Sequence, residues 1–125
     1  MTFTGLGTSG TPAAFIQIQS DGTLMKSTSS RKYKENIVDM TTDSSKVLNL
    51  RPVNFKYKDY EQGDKIVTGR SSFGLIAEEV HEELPELVFY DSDNTPDALD
   101  YPLMTVLLLA EVKKLRVEID ALKNG

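Results

Sequence analysis

Five apolar residues near the C-terminus, Leu108, Val112, Leu115, Ile119 and Leu122, are spaced 4, 3, 4 and 3 apart in a stretch from Asp100 to Asn124 whose only proline, Pro102, lies close to its start. This is a heptad seam, with Val112 and Ile119 at a and Leu108, Leu115 and Leu122 at d. The stretch is therefore expected to be one long helix, capped by Asp100 and tolerating Pro102 in its first turn. For parallel neighbours the flanking charges match in sign, Glu111 opposite Arg116 and Glu118 opposite Lys123. A single amphipathic helix packed on its own domain would use the same stripe; we expect association between copies instead.

With 125 residues in all, the chain has room for one compact domain plus an appendage, not for two domains with separate cores. Its 39% hydrophobic and 26% charged residues argue for a folded chain. The Gly-, Thr- and Ser-rich start up to Phe15 reads as flexible, lacks the basic start and apolar stretch of a signal peptide, and points to a chain that begins inside a longer protein. Phe15 to Gln19 and Thr23 to Lys26 alternate around Asp21-Gly22, which predicts a hairpin with a type I′ turn. Ser44 or Ser45 is expected to cap a short helical turn through Val47 and Leu48. Val53 to Lys58 reads as a half-buried strand, and the stretch around Gly63 and Gly69 as a polar loop. Ser72 to Ile76 reads as a short buried strand, and Ala77 to Leu84 as a helix stopped by Pro85 with Ile76, Val80 and Leu84 on one face. Glu86 to Tyr90 reads as a strand, and Asp91 to Asp97 as a turn-rich loop. The fold class is α+β: short antiparallel strands, a central helix and a long C-terminal helix.

Fourteen Lys and Arg against nineteen Asp and Glu give a net charge of -5, the wrong sign for a phosphate backbone, so nucleic acid is not an expected partner. With no cysteine and one histidine, neither a thiolate nor a histidine-rich metal site is available, and no cofactor or metal is expected. The longest apolar run, Met104 to Ala110, is far short of the roughly 20 residues needed to cross a bilayer. No Gly-rich phosphate loop is present. Consecutive acids at Glu78, Glu79, Glu82 and Glu83 read as the solvated face of the helix, and His81 as a surface residue. Asp91, Asp93 and Asp97 lack the glycine and the closing Glu of a calcium loop.

One segment has no apolar period at all. From Ser27 to Ile37 a run of hydroxyls meets a run of bases, Arg31, Lys32 and Lys34. Taken alone, Lys26 and these three read as a solvated basic loop. The combination of Ser29-Ser30-Arg31-Lys32-Tyr33-Lys34-Glu35-Asn36-Ile37, Leu50-Arg51-Pro52-Val53-Asn54-Phe55-Lys56-Tyr57 and Phe73-Gly74-Leu75-Ile76-Ala77-Glu78-Glu79-Val80, in this order, resembles the intramolecular chaperone domain of the peptidase S74 family. Such domains end phage tail spikes, tail fibres and neck appendages. The likeness runs from about Thr28 to the terminal helix.

The resemblance implies a domain that trimerises, assists assembly of the fibre or spike upstream in the same chain, and then cuts itself off with a serine and a lysine five residues later. The family pattern Ser-Asp-x-Arg-x-Lys falls on Ser29 to Lys34, with Ser29 as nucleophile and Lys34 as base. Ser30 stands where Asp is common and Lys32 where Arg is common. The implied scissile bond is Thr28-Ser29. Residues 1–28 are then the end of the upstream fibre, 29–105 the globular chaperone, and 106–125 the coiled-coil helix. Heptads with β-branched a and Leu d positions favour dimers, whereas the resemblance implies a homotrimer, which we take as the expectation. The implied setting is a virion tail or appendage precursor assembled in the host cytoplasm. The rival reading is a structural trimerisation or receptor-binding tip that stays attached; a cellular homologue is more remote.

The pair also makes chemical sense. A serine hydroxyl is a weak nucleophile until a base takes its proton, and a lysine accepts one only as the neutral amine. Free lysine holds its proton to a pKa near about 10.4, so neighbouring cations and burial in an assembled trimer are needed.

Overall fold

A computed structural model describes residues 10–125, which fall into two units divided between Met40 and Thr41. The flexible start expected before Phe15 lies, over residues 1–9, outside the described residues.

In the first unit, β1 (Ile16–Ile18) pairs antiparallel with β2 (Leu24–Lys26), Ile16 opposite Lys26 and Ile18 opposite Leu24. The hairpin is as expected, but its turn is not type I′. Gln19 accepts from the Gly22 amide at 2.9 Å and donates to the Thr23 carbonyl at 2.8 Å, which makes a three-residue loop, and only Gly22 takes a positive φ, 87°. A left-handed glycine closing such a loop is the usual alternative to a two-residue turn. Asp21 braces it by accepting from the Thr23 amide at 2.9 Å, which holds its carboxyl below the ordinary range.

The second unit opens with a 3-10 turn, Ser44–Asn49, capped by Asp43 rather than by Ser44 or Ser45. The Asp43 carboxylate accepts from both the amide and the hydroxyl of Ser45. Next come β3 (Val53–Lys56), β4 (Tyr60–Gln62), β5 (Lys65–Val67) and β6 (Ser71–Gly74). β3 pairs antiparallel with β6, Val53 opposite Gly74, and β4 with β5. The stretch read as a polar loop is thus a second hairpin. Gly63, at φ 64°, takes the first place of its two-residue turn, where a type II′ turn calls for glycine. At Gly69 a Cβ would run into the Tyr57 carbonyl, so only glycine lets the chain return beside β3. β6 is not the buried strand expected: it ends at Gly74 and leaves Phe73 81% exposed, because a two-stranded sheet covers only one of its faces.

Helix α1 (Ala77–Glu83) ends before Pro85 as expected, and the chain passes through a 3-10 turn, Pro85–Leu87. This turn delays the next strand, so β7 spans Val88–Tyr90 rather than beginning at Glu86. The loop after it yields one more strand, β8 (Pro96–Leu99), with proline at its first position, where no ladder donor is lost. The four-residue spacing of Val80 and Leu84 puts both on the inner face of α1. With Leu87 these are the most buried side chains, joined by Val47, Val88, Met104 and Leu107.

Helix α2 spans Tyr101–Asn124, and the Asp100 carboxylate caps it by accepting from the Leu103 amide at 3.0 Å. Its buried residues are Met104, Leu107 and Glu111. The five seam residues form an adjoining stripe and remain 41–81% exposed. Glu111 corrects the sequence reading. Its position four residues beyond Leu107 and seven beyond Met104 turns it inward, where it accepts from Ser44 Oγ at 2.9 Å and meets Lys114 Nζ at 3.3 Å. It is therefore not free to face a neighbour's Arg116, which pairs with Asp120 of its own helix. Among the described residues no helix is long and apolar enough to cross a membrane.

Among the described residues the architecture is α+β, with four two-stranded antiparallel sheets and a long terminal helix. Because Leu84 is fully enclosed, Leu84→Ala should cost about 2–5 kcal/mol in denaturant unfolding. Phe73→Ala, at an open position, should change stability by less than about 0.5 kcal/mol.

Candidate active site

Ser29 and Lys34 are brought together by a turn. Fully extended, five residues would separate two α-carbons by roughly 17 Å. Instead the chain winds into a single 3-10 turn, Arg31–Tyr33. The Ser30 carbonyl accepts from the Tyr33 amide and the Arg31 carbonyl from the Lys34 amide, both at 3.0 Å. Ser30 caps this turn, its hydroxyl accepting from the Lys32 amide at 3.4 Å. Past it, Asn36 takes φ 55°, a left-handed geometry that asparagine tolerates better than most residues.

The result is a direct contact: Lys34 Nζ lies 2.9 Å from Ser29 Oγ and donates to it. That distance is within the roughly 2.6–3.2 Å reach over which a base can take a proton, so loss of the ammonium proton would reverse the bond's direction without moving either atom. The neighbouring cations have other orientations. Lys32 Nζ sits 5.2 Å from the centroid of the Tyr33 ring, and Arg31 has no ion pair among the described residues. Thr28, Ser29 and Lys34 are all exposed. The turn thus supplies proximity without burial.

The other two segments singled out by the sequence meet each other in the second unit. β3 and β6 pair, with Asn54 opposite Phe73 and Phe55 opposite Ser72. The Arg51 guanidinium then forks onto Glu79, Nε to Oε1 at 3.1 Å and Nη2 to Oε2 at 2.7 Å. Asn49 donates to Glu83 at 3.1 Å. Two of the four acids read as a solvated face are therefore bound to the strand side, while Glu78 and Glu82 are exposed. The fork lowers the Glu79 carboxyl below its ordinary range and raises the Arg51 guanidinium. Sequence separation hid this pair: its members are 28 residues apart.

The remaining candidates serve structure. His81 Nδ1 lies 2.8 Å from Tyr90 Oη, with the rings edge to face. Asp91 accepts from the amides of Asp93 and Thr95 and from the Thr95 hydroxyl, which lowers its carboxyl. Asp97 lies apart in β8.

A family model described as chaperone of endosialidase, of the peptidase S74 group, matches residues 29–89. The match starts at the serine of the contact pair and takes in all three segments. No curated protein matches the chain.

The fork gives a pH signature. A depressed carboxyl stabilises the fold at pH values above its unfolded pKa, and that contribution is lost as pH falls through the folded value. For Glu79, whose ordinary value is 4.5, the loss lies below that pH. Arg51→Met should lower the Tm at neutral pH, and its Tm curve should converge with that of the parent in acid. Parallel curves down to strong acid would show that the fork contributes nothing.

Proposed function

We propose that the chain, whose residues 29–89 match the chaperone-of-endosialidase model of the peptidase S74 group, is a C-terminal intramolecular chaperone that trimerises, guides an upstream phage fibre or spike, and cuts itself free at Thr28-Ser29. The observation that carries the cleavage is the 2.9 Å contact between Lys34 Nζ and Ser29 Oγ. In the proposed step, neutral Lys34 takes the Ser29 hydroxyl proton as Oγ attacks the Thr28 carbonyl carbon. The C–N bond breaks, Lys34 returns the proton to the leaving amine, and water then hydrolyses the ester linking Thr28 to Ser29. One water is consumed, and the protein is both catalyst and substrate, once.

Residues 1–28 leave as the end of the fibre, 29–105 form the chaperone, and 106–125 hold the trimer. The exposed seam of Leu108, Val112, Leu115, Ile119 and Leu122 supports association. Burying each of these side chains is worth about 1.5–3 kcal/mol before ordering costs, enough to help hold chains together without deciding their number. A threefold fibre upstream would impose the number. The setting is a tail or appendage precursor in the host cytoplasm. Exposure of Ser29 and Lys34 favours a second reading, a tip that trimerises without cutting. On the first reading, assembly buries the pair and starts the chemistry.

Ser29→Ala and Lys34→Arg should each yield a folded, assembled, uncut chain by denaturing electrophoresis, since a guanidinium stays protonated at any usable pH. Normal fragments from either variant would remove the dyad. Leu115→Asp should weaken association and cleavage together in sedimentation and electrophoresis run on one sample. A monomer that cuts at the parent rate would separate the two.

A further inference from the structure

The second unit holds an open cavity of about 580 Å3 that the self-cleavage reading does not use. Its walls come from β3, the start of α1, β8 and the first residue of α2. The rings of Phe55, Tyr57 and Tyr101 line it together with the acidic residues Glu78 and Asp97; every other wall residue is apolar, and none is basic. The aromatic wall is held in place. Phe55 and Tyr57 meet edge to face, 5.0 Å between centroids, and Tyr101 Oη accepts from the Leu75 amide at 3.0 Å. Glu78 and Asp97 are exposed, and neither forms an ion pair among the described residues.

Aromatic faces and unpaired carboxylates both favour a cation and repel phosphate or carboxylate ligands. A bare metal ion would gain little from apolar walls and rings. A planar cation on an aliphatic stem uses all three features, because guanidinium stacks on rings and forks onto carboxylates. This unit already shows both contacts with its own arginines. Arg70 lies 4.8 Å from the centroid of Tyr57, and Arg51 forks onto Glu79, the neighbour of Glu78. We propose that the cavity is a binding site for an arginine side chain presented by a peptide segment. Where the chaperone reading holds, that segment belongs to the client chain; the binding itself does not rest on that reading.

The test titrates the isotope-labelled full chain at low ionic strength with N-acetylarginine amide and with N-acetylcitrulline amide, its uncharged near-isostere. Saturable binding of the arginine compound is expected, with resonance shifts at Phe55, Tyr57 and Tyr101 and much weaker binding of citrulline. The double variant Glu78→Gln, Asp97→Asn should keep its Tm and bind the arginine compound about fivefold or more weakly. Equal binding of the two compounds, shifts that map elsewhere, or unchanged affinity in the double variant would overturn the proposal. Neither cleavage nor assembly is read in this titration, so its failure is separate from failure of the self-cleavage reading.

Discussion

A two-stranded antiparallel ribbon is marginal in water, and every sheet among the described residues is of this kind. The second unit therefore depends on what its ribbons pack against, and for β7 and β8 this is α1, whose inner residues Val88 and Leu99 join. Val80 and Leu84, with Leu87 just after the helix, make the one fully enclosed cluster, and Met104 and Leu107 of α2 close it. The polar links tie the same parts together: Arg51 to Glu79 from the strand side, Asn49 to Glu83, and Ser44 to Glu111. A buried carboxylate without its hydroxyl donor would be costly, so the Ser44 contact fixes α2 on the unit at the turn where its seam begins.

That division of α2 joins packing to function. Its first turns bury Met104, Leu107 and Glu111 in the core, and the adjoining apolar seam stays 41–81% exposed. The site has a matching incompleteness. Proximity of Ser29 and Lys34 is built by local hydrogen bonds in five residues, while burial, the other requirement of a lysine base, is not. On the proposed reading, association would supply both, cover for the seam and burial for the pair, and cleavage would wait for assembly.

Much of this was legible in the sequence because it is local. Heptad spacing and the Asp100 cap gave α2, Pro85 gave the end of α1, and Asp21-Gly22 gave the first hairpin. The family resemblance, not the run of bases itself, marked Ser29 and Lys34 as a pair, and their contact follows from the turn between them. The second hairpin carried a signal, the Gly63-Asp64 turn, but the residues next to it, Gln62 and Lys65, are polar and its strands are only three residues long, too short to show the alternation. β8 was masked by the proline that starts it. Glu111 looked like a partner for a neighbouring helix because charge pattern alone cannot tell which side of a helix packs. Its Ser44 partner lies 67 residues away, as the Arg51 partner of Glu79 lies 28, and no local pattern encodes such separations.

The most direct test of the central claim is the intact mass and N-terminal residue of the full chain after it has refolded and assembled at neutral pH. The account predicts two species divided after Thr28, the larger beginning at Ser29. A single uncut mass in a fully assembled sample, or a cut at another bond, would contradict it.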